Sequence, residues 1–232
     1  MDSLETELER AKELDEAALA DAIETIGFEC TRCGACCKGY DPEDVDEPES
    51  DREPHTATVF PDEVRELQDA GDYDWRDVAR PMPYGLSEGV DGPEGETFEW
   101  ALQTDACGDC TFYKEADDGT GSCTVHDDRP LICRTYPFSV DLGGTSQPMG
   151  EAVDEEGMVR AHECEGLGRE ISREEAEELA GALKKRAVRE LREAIGVRDN
   201  YESVSTVDRE DVGVVVHDSE GAKRVDGRPV DE

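Results

Sequence analysis

Lysine is scarce in this chain. Only six of the 24 basic residues are Lys, they face 61 Asp and Glu, and the formal charge is −37. Nucleic acid and anionic membrane surfaces are bound by neutralising phosphate with Lys and Arg, so neither is an expected partner. Aromatic residues are few as well, 6% of 232, and apolar residues make up 36%. A core this lean gains from metal or disulfide cross-links. No apolar run approaches the roughly 18 residues of a membrane span. The opening MDSLETELERAKELDEAALA lacks both the basic n-region and the apolar h-region of a signal peptide. The expected location is therefore the cytoplasm. Acidity spread over the whole chain, rather than gathered in one tail, fits adaptation to concentrated salt, where carboxylates hold hydrated cations. A negative face built for a basic partner would show clustering that the sequence lacks. No Ser-His-Asp order, phosphate-binding Gly loop or HExxH occurs either, so hydrolase and nucleotide readings find no support.

What the chain does have is cysteine. There are nine, an odd number, and in a reducing compartment grouped thiols hold metal or do redox chemistry more often than they pair. The stretch CTRCGACCKGY places Cys30, Cys33, Cys36 and Cys37 within eight positions. Adjacent side chains diverge, so Cys36 and Cys37 cannot fill one core niche. Sulfurs at three-residue steps, as at Cys30, Cys33 and Cys36, can ligate one metal or the irons of a cluster, with a fourth ligand arriving from afar. Cys37, facing elsewhere, could serve a second site. Later come Cys107 and Cys110 in DACGDC, Cys123 and Cys133 in CTVHDDRPLICRTYPF, and Cys164 in AHECEGLG. Setting Cys107 aside leaves eight, the number that two four-thiolate sites need. Spacing alone leaves two zincs, two clusters, or one cluster plus a reactive pair all open. Tetrathiolate sites carry net negative charge, and Arg32, Arg129 and Arg134 are placed in the sequence to offset it.

Residues 3–26 read as one helix with an irregular apolar stripe, closed by Gly27. Residues 41–54 are an acidic loop and 61–70 a short helix with Pro61 in its first turn and Gly71 after it. Residues 81–96 read as loop and 97–103 as a strand. The clearest helix begins at the Ser172/Glu175 capping box and is expected to stop at Gly196, with Ala176, Leu179, Leu183, Val188, Leu191 and Ile195 on its apolar face. Beyond it, VGVVVHDSE is a candidate edge strand and the last dozen residues are expected to fray. The division is an N-terminal helix over 1–27, a cysteine-cluster domain over 28–168, a C-terminal helix over 169–197 and an acidic tail over 198–232.

From Phe28 to Gly168, the C-x-x-C-x-x-C-C run, the Cys110-Thr111-Phe112 step, the R-P-x-x-C-R-x-Y-P-F segment and a late Cys beside glycines together resemble a known family. These are the cysteine-cluster proteins described as zinc- or iron-chelating domains, sometimes labelled Fe-S oxidoreductases; a related pattern occurs in flagellin lysine methylases. The resemblance implies that Cys30, Cys33, Cys36, Cys37, Cys110, Cys123, Cys133 and Cys164 are metal ligands. It also matches Arg129, Pro130, Arg134, Tyr136 and Pro137 around Cys133, and makes Arg129 and Arg134 candidate cofactor-binding residues. Cys107 and His126 depart from the pattern. His162 reads as a surface histidine, and His55 and His217 carry no signal.

The expected fold is α+β: a small, irregular, metal-stapled cysteine-cluster domain with flanking N- and C-terminal helices. The leading functional expectation is an iron-sulfur cluster or iron, alternatively zinc, in a protein with an electron-transfer or redox role and an unknown protein or redox partner. The rivals are a zinc-stapled interaction module and a group-transfer enzyme related to the lysine methylases.

Overall fold

A computed structural model describes residues 3–40, 52–90, 92–143, 152–154, 157–203 and 213–230. The acidic loop expected over 41–54 lies almost wholly outside the described residues. The helices are α1 (Leu4–Lys12), α2 (Glu16–Ile26), α3 (Pro61–Ala70), α4 (Trp75–Val78), α5 (Leu131–Thr135) and α6 (Arg173–Asn200). The strands are β1 (Thr58–Val59), β2 (Ala79–Pro81), β3 (Leu86–Glu88), β4 (Pro93–Thr97), β5 (Trp100–Leu102) and β6 (Tyr113–Glu115). They continue with β7 (Gly121–Cys123), β8 (Phe138–Val140), β9 (Ala152–Asp154), β10 (Val159–His162), β11 (Val214–Asp218) and β12 (Gly221–Lys223). The fold is a small, irregular α+β arrangement.

The chain divides into two compact units. The first comprises Met1–Cys36, Ala116–Gly121 and Leu131–Ile195; the second comprises Cys37–Glu115, Ser122–Pro130 and Gly196–Glu232. Cys36 and Cys37 therefore fall on opposite sides of the division.

In the first unit, β10 pairs antiparallel with both β8 and β9. Phe138, Val140, Val159 and Ala161 of this sheet share one core with Leu19, Ala20 and Ile23 of α2 and with Ala176, Ala180, Leu183, Ala187 and Leu191 of α6. Ala176, Ala180, Leu183, Ala187 and Leu191 fall at three- and four-residue steps, so α6 presents to the core one apolar stripe rich in small residues, which packs closely. The expected single helix over 3–26 is two. Asp15 has extended backbone and its carboxylate accepts from Ala17 N and Ala18 N, which starts α2 afresh. Buried within this unit, Arg186 donates from Nε to Glu190 (2.7 Å) and from Nη1 to Thr135 Oγ1 (3.0 Å) and the Phe138 carbonyl (3.4 Å). One guanidinium thus ties α6 to α5 and β8.

In the second unit, β1-β5-β2 forms one antiparallel sheet and β12-β11-β4-β3 another. Helix α3 occupies the expected 61–70; the backbone N–H of Phe60 donates to Glu63 Oε2 at 3.0 Å, and Pro61 takes the first turn. Three expectations are corrected here. The segment read as loop over 81–96 supplies the last residue of β2, all of β3 and most of β4. The candidate edge strand is interior: β11 lies between β12 and β4, parallel to β4, with all five residues buried. The expected fraying is replaced, through residue 230, by β12 and a turn in which Lys223 bridges Pro229. Burial of Val214, Val215 and Val216 overrides the polar character of the flanking sequence.

Gly196 is likewise not a stop, because α6 continues to Asn200. A Cβ at Gly196 would lie 2.5 Å from Ser219 Cβ, so this glycine serves a close approach to the β11–β12 turn. Asp218 accepts from Trp100 Nε1 (2.9 Å) and faces Lys223 Nζ at 3.2 Å, and Trp100 packs edge-on against Trp75.

Candidate metal centre

After α2 the chain is zipped against the segment that follows Cys164. Gly27 takes φ 79°, Gly168 N–H donates to the Gly27 carbonyl (3.0 Å), Glu29 N–H donates to the Gly166 carbonyl (3.1 Å), and Phe28 bridges Leu167. The approach leaves no room for side chains. A Cβ on Gly27 would meet the Arg169 carbonyl oxygen at 2.4 Å, and one on Gly166 would meet that of Glu29 at 2.2 Å. These two glycines are what allow Cys164 to come alongside the first cysteine run.

Residues 29–34 carry no regular structure. Their path bends at Arg32 (φ 58°) and Gly34 (φ 78°), two left-handed positions that redirect the chain before the 3-10 turn Ala35–Cys37. The Arg32 carbonyl accepts from Gly121 N–H at 2.7 Å, which fixes the bend. Cys30 and Cys36 are exposed, and Cys33 and Cys164 half-buried. Burial pushes the Cys164 thiol above its ordinary value. The Gly166 N–H, donating to Cys164 Sγ at 3.4 Å, opposes that shift, while negative charge on Cys36, Cys33 and Cys30 adds to it. Four sulfurs are therefore electrostatic neighbours. They do not form a preset shell: among the described residues, no three His, Cys, Asp or Glu side chains are grouped to hold a metal ion.

Cys133, the fifth cysteine of the first unit, lies on α5, half-buried beside the exposed Arg134. Its helix is held by the Arg186 contacts at Thr135, and the Tyr136 hydroxyl donates to the Glu163 carbonyl, one residue before Cys164.

The second unit holds Cys37, Cys107, Cys110 and Cys123. Cys110 is buried, and its N–H donates to the Cys37 carbonyl at 2.8 Å. Cys123 ends β7. Cys107 sits exposed in a turn, its N–H donating to Asp105 Oδ1 (2.8 Å). Arg129 is turned back on its own loop, Nε donating to the His126 carbonyl at 2.9 Å. The structure thus separates the eight expected ligands into five and three by unit.

One histidine, His162, differs from its sequence reading. His162 is buried in the first unit, with Nε2 2.8 Å from Ser139 Oγ, not at the surface. His126 is exposed beside Asp127. His217 is buried in the second unit against Phe98, with Nε2 3.3 Å from Glu96. His55 is buried in the same unit, and burial first, then the charge of Arg80, pushes it down to about 4. For His217, its place within the valine-rich strand was the available signal. For His55 the local sequence offered none.

A family model matches residues 29–165, more than half of the chain. Its description reads "Putative zinc- or iron-chelating domain", and it carries the C-x-x-C-x-x-C-C motif in its title. The chain belongs to this CxxCxxCC family, and zinc or iron is the metal class its description names. No curated protein and no solved structure matches the chain. Among the described residues no helix is long and apolar enough to cross a membrane.

Proposed function

We propose that Cys30, Cys33, Cys36 and Cys164 hold an iron centre, as an iron-sulfur cluster, in a cytoplasmic protein with an electron-transfer or redox role. The observation that carries this reading is the placement of Cys164. The ladder between residues 27–29 and 166–168 delivers a fourth thiol from a distant part of the chain to the C-x-x-C-x-x-C run.

Chemical fit supports it. Burial raises the Cys164 thiol, and a bound metal would offset this by stabilising its thiolate. Such a cluster supplies one-electron chemistry at a potential set by hydrogen bonds to sulfur and by solvent exposure. The protein's own part is to orient Cys164 through the Gly166 N–H, and to leave Cys30 and Cys36 exposed to a redox partner. The net charge of −37, spread along the chain, supports a cytoplasm rich in salt.

Zinc is the second reading, favoured by the absence of regular structure over 29–34, a stretch that a metal staple would organise. Protein purified without oxygen in high salt separates the two. Visible absorption with iron and acid-labile sulfide in similar amounts supports the cluster, and colourless protein with stoichiometric zinc supports the staple. Protein that takes up neither metal on reconstitution overturns both.

A further inference from the structure

The second unit contains a cleft of about 480 Å³ that the metal reading does not use. Helix α4 and its approach supply Tyr73, Arg76 and Asp77; Gln103 follows β5, Thr111 and Phe112 follow Cys110, Lys114 lies on β6 and Thr124 follows Cys123. Phe112 is buried and meets Tyr73 edge-on at 5.4 Å, so the cleft has two aromatic rings set at a right angle.

Its polar groups are already divided by role. Asp77 is turned back on its own helix, where Oδ2 accepts from Asp74 N–H at 2.8 Å. The Gln103 amide spends Nε2 on the Arg76 carbonyl (2.8 Å) and accepts Thr104 N–H (3.0 Å) at Oε1. Both threonine hydroxyl protons are directed at backbone: Thr111 towards the Asp77 carbonyl (3.4 Å) and Thr124 towards the Phe112 carbonyl (3.3 Å). Apart from Asp77 Oδ1, what remains uncommitted is chiefly donors. Among the described residues, the exposed Arg76 guanidinium and Lys114 ammonium have no carboxylate within ion-pair distance, unlike Lys38, Arg65, Arg173 and Lys223. Two unpaired cations beside two aromatic rings run against the acidity of the chain as a whole, in which carboxylates outnumber cations by 61 to 24.

We propose that this cleft is a binding site for a small organic anion that carries an oxyacid group beside a flat apolar portion. Arg76 and Lys114 grip the anionic oxygens with charge-assisted hydrogen bonds, and Tyr73 and Phe112 take the flat part. Because Thr111 and Thr124 directly follow Cys110 and Cys123 in the chain, an occupant sits on the segments that carry two of the expected ligands. The site stands whether the metal is iron or zinc.

The test uses full-length, metal-loaded protein and NMR titration with phenyl phosphate, benzoate and, as the uncharged control, benzyl alcohol. Saturable shifts at Gln103, Thr111, Lys114 and Thr124 with either anion are expected, and whichever anion binds more tightly identifies the oxyacid. Arg76→Gln and Lys114→Gln, both at exposed positions, each weaken binding about tenfold, the equivalent of one charge-assisted hydrogen bond. Three results would overturn the proposal: no saturable shift at millimolar anion, equal affinity for benzyl alcohol, or unchanged affinity in the double variant. The amide spectrum of each variant shows directly whether its fold is kept.

Discussion

Cys110 N–H donates to the carbonyl of Cys37 at 2.8 Å, so two expected metal ligands far apart in sequence are backbone neighbours in the second unit. In the first unit the backbone pairs residues 27–29 with 166–168, next to Cys30 and Cys164 in the chain. In both units the long-range pairing is made by backbone, which holds whichever metal the sulfurs receive.

Cys164→Ser should remove most of the metal, because it deletes the one ligand that the 27–29 and 166–168 ladder delivers. Cys107→Ser, in an exposed turn, should leave metal content unchanged. Iron, zinc and sulfide analysis of both variants checks this; equal losses would show that Cys107 belongs to the ligand set.

Gly166→Ala should act on the centre without touching a sulfur. The added methyl meets the Glu29 carbonyl oxygen at 2.2 Å, so the two segments must separate, at a cost of about 1–3 kcal/mol. Metal content and unfolding midpoint should fall together. A drop in stability with full metal retention would show that the ladder does not position Cys164.

Arg186→Ala should destabilise the first unit by about 3–5 kcal/mol, since it strips a buried cation from Glu190, Thr135 and the Phe138 carbonyl at once. Denaturant unfolding in high salt measures it. A change below about 1 kcal/mol, the range of an exposed pair, would contradict the buried network.

His55 gives a pH dependence with a definite sign. Its folded value lies at about 4, below the ordinary 6.5, because burial and then Arg80 disfavour the charged ring, with Asp109 opposing. The unfolded chain therefore binds the proton first. Stability from the neutral ring is fully present above 6.5 and is lost as pH falls towards 4. The loss amounts to about 3 kcal/mol. His55→Leu should flatten the stability curve in that window, whatever its absolute stability, and an unchanged slope would refute the assignment.

A chain ending at residue 212 should fail to fold its second unit. Removing β11 deletes the buried Val214, Val215 and Val216, worth about 6 kcal/mol together, and uncovers the edge of β4. Loss of dispersed amide signals from residues 93–102 would show it; a native-like spectrum would return β11 to the status of a dispensable edge.

Cysteine spacing was decisive in the sequence alone. The Cys30–Cys37 run, the R-P-x-x-C-R segment and the match over residues 29–165 place the chain in its family, because ligand spacing is local and survives without knowledge of the fold. Helix α3 was legible for the same reason: Pro61, its acidic first turn and Gly71 all act within one turn of the backbone. Other signals were ambiguous at that range. Asp15 starts a second helix inside what looked like one, and Gly196 marks a close approach to Ser219 where it looked like a stop.

Only tertiary structure decided that the segment after Cys164 pairs with residues 27–29, that β11 is an interior strand and that His55, His162 and His217 are buried. Each depends on segments distant in the chain being brought together. The free energy of such contacts comes from burial and from backbone pairing between partners that a local pattern does not name.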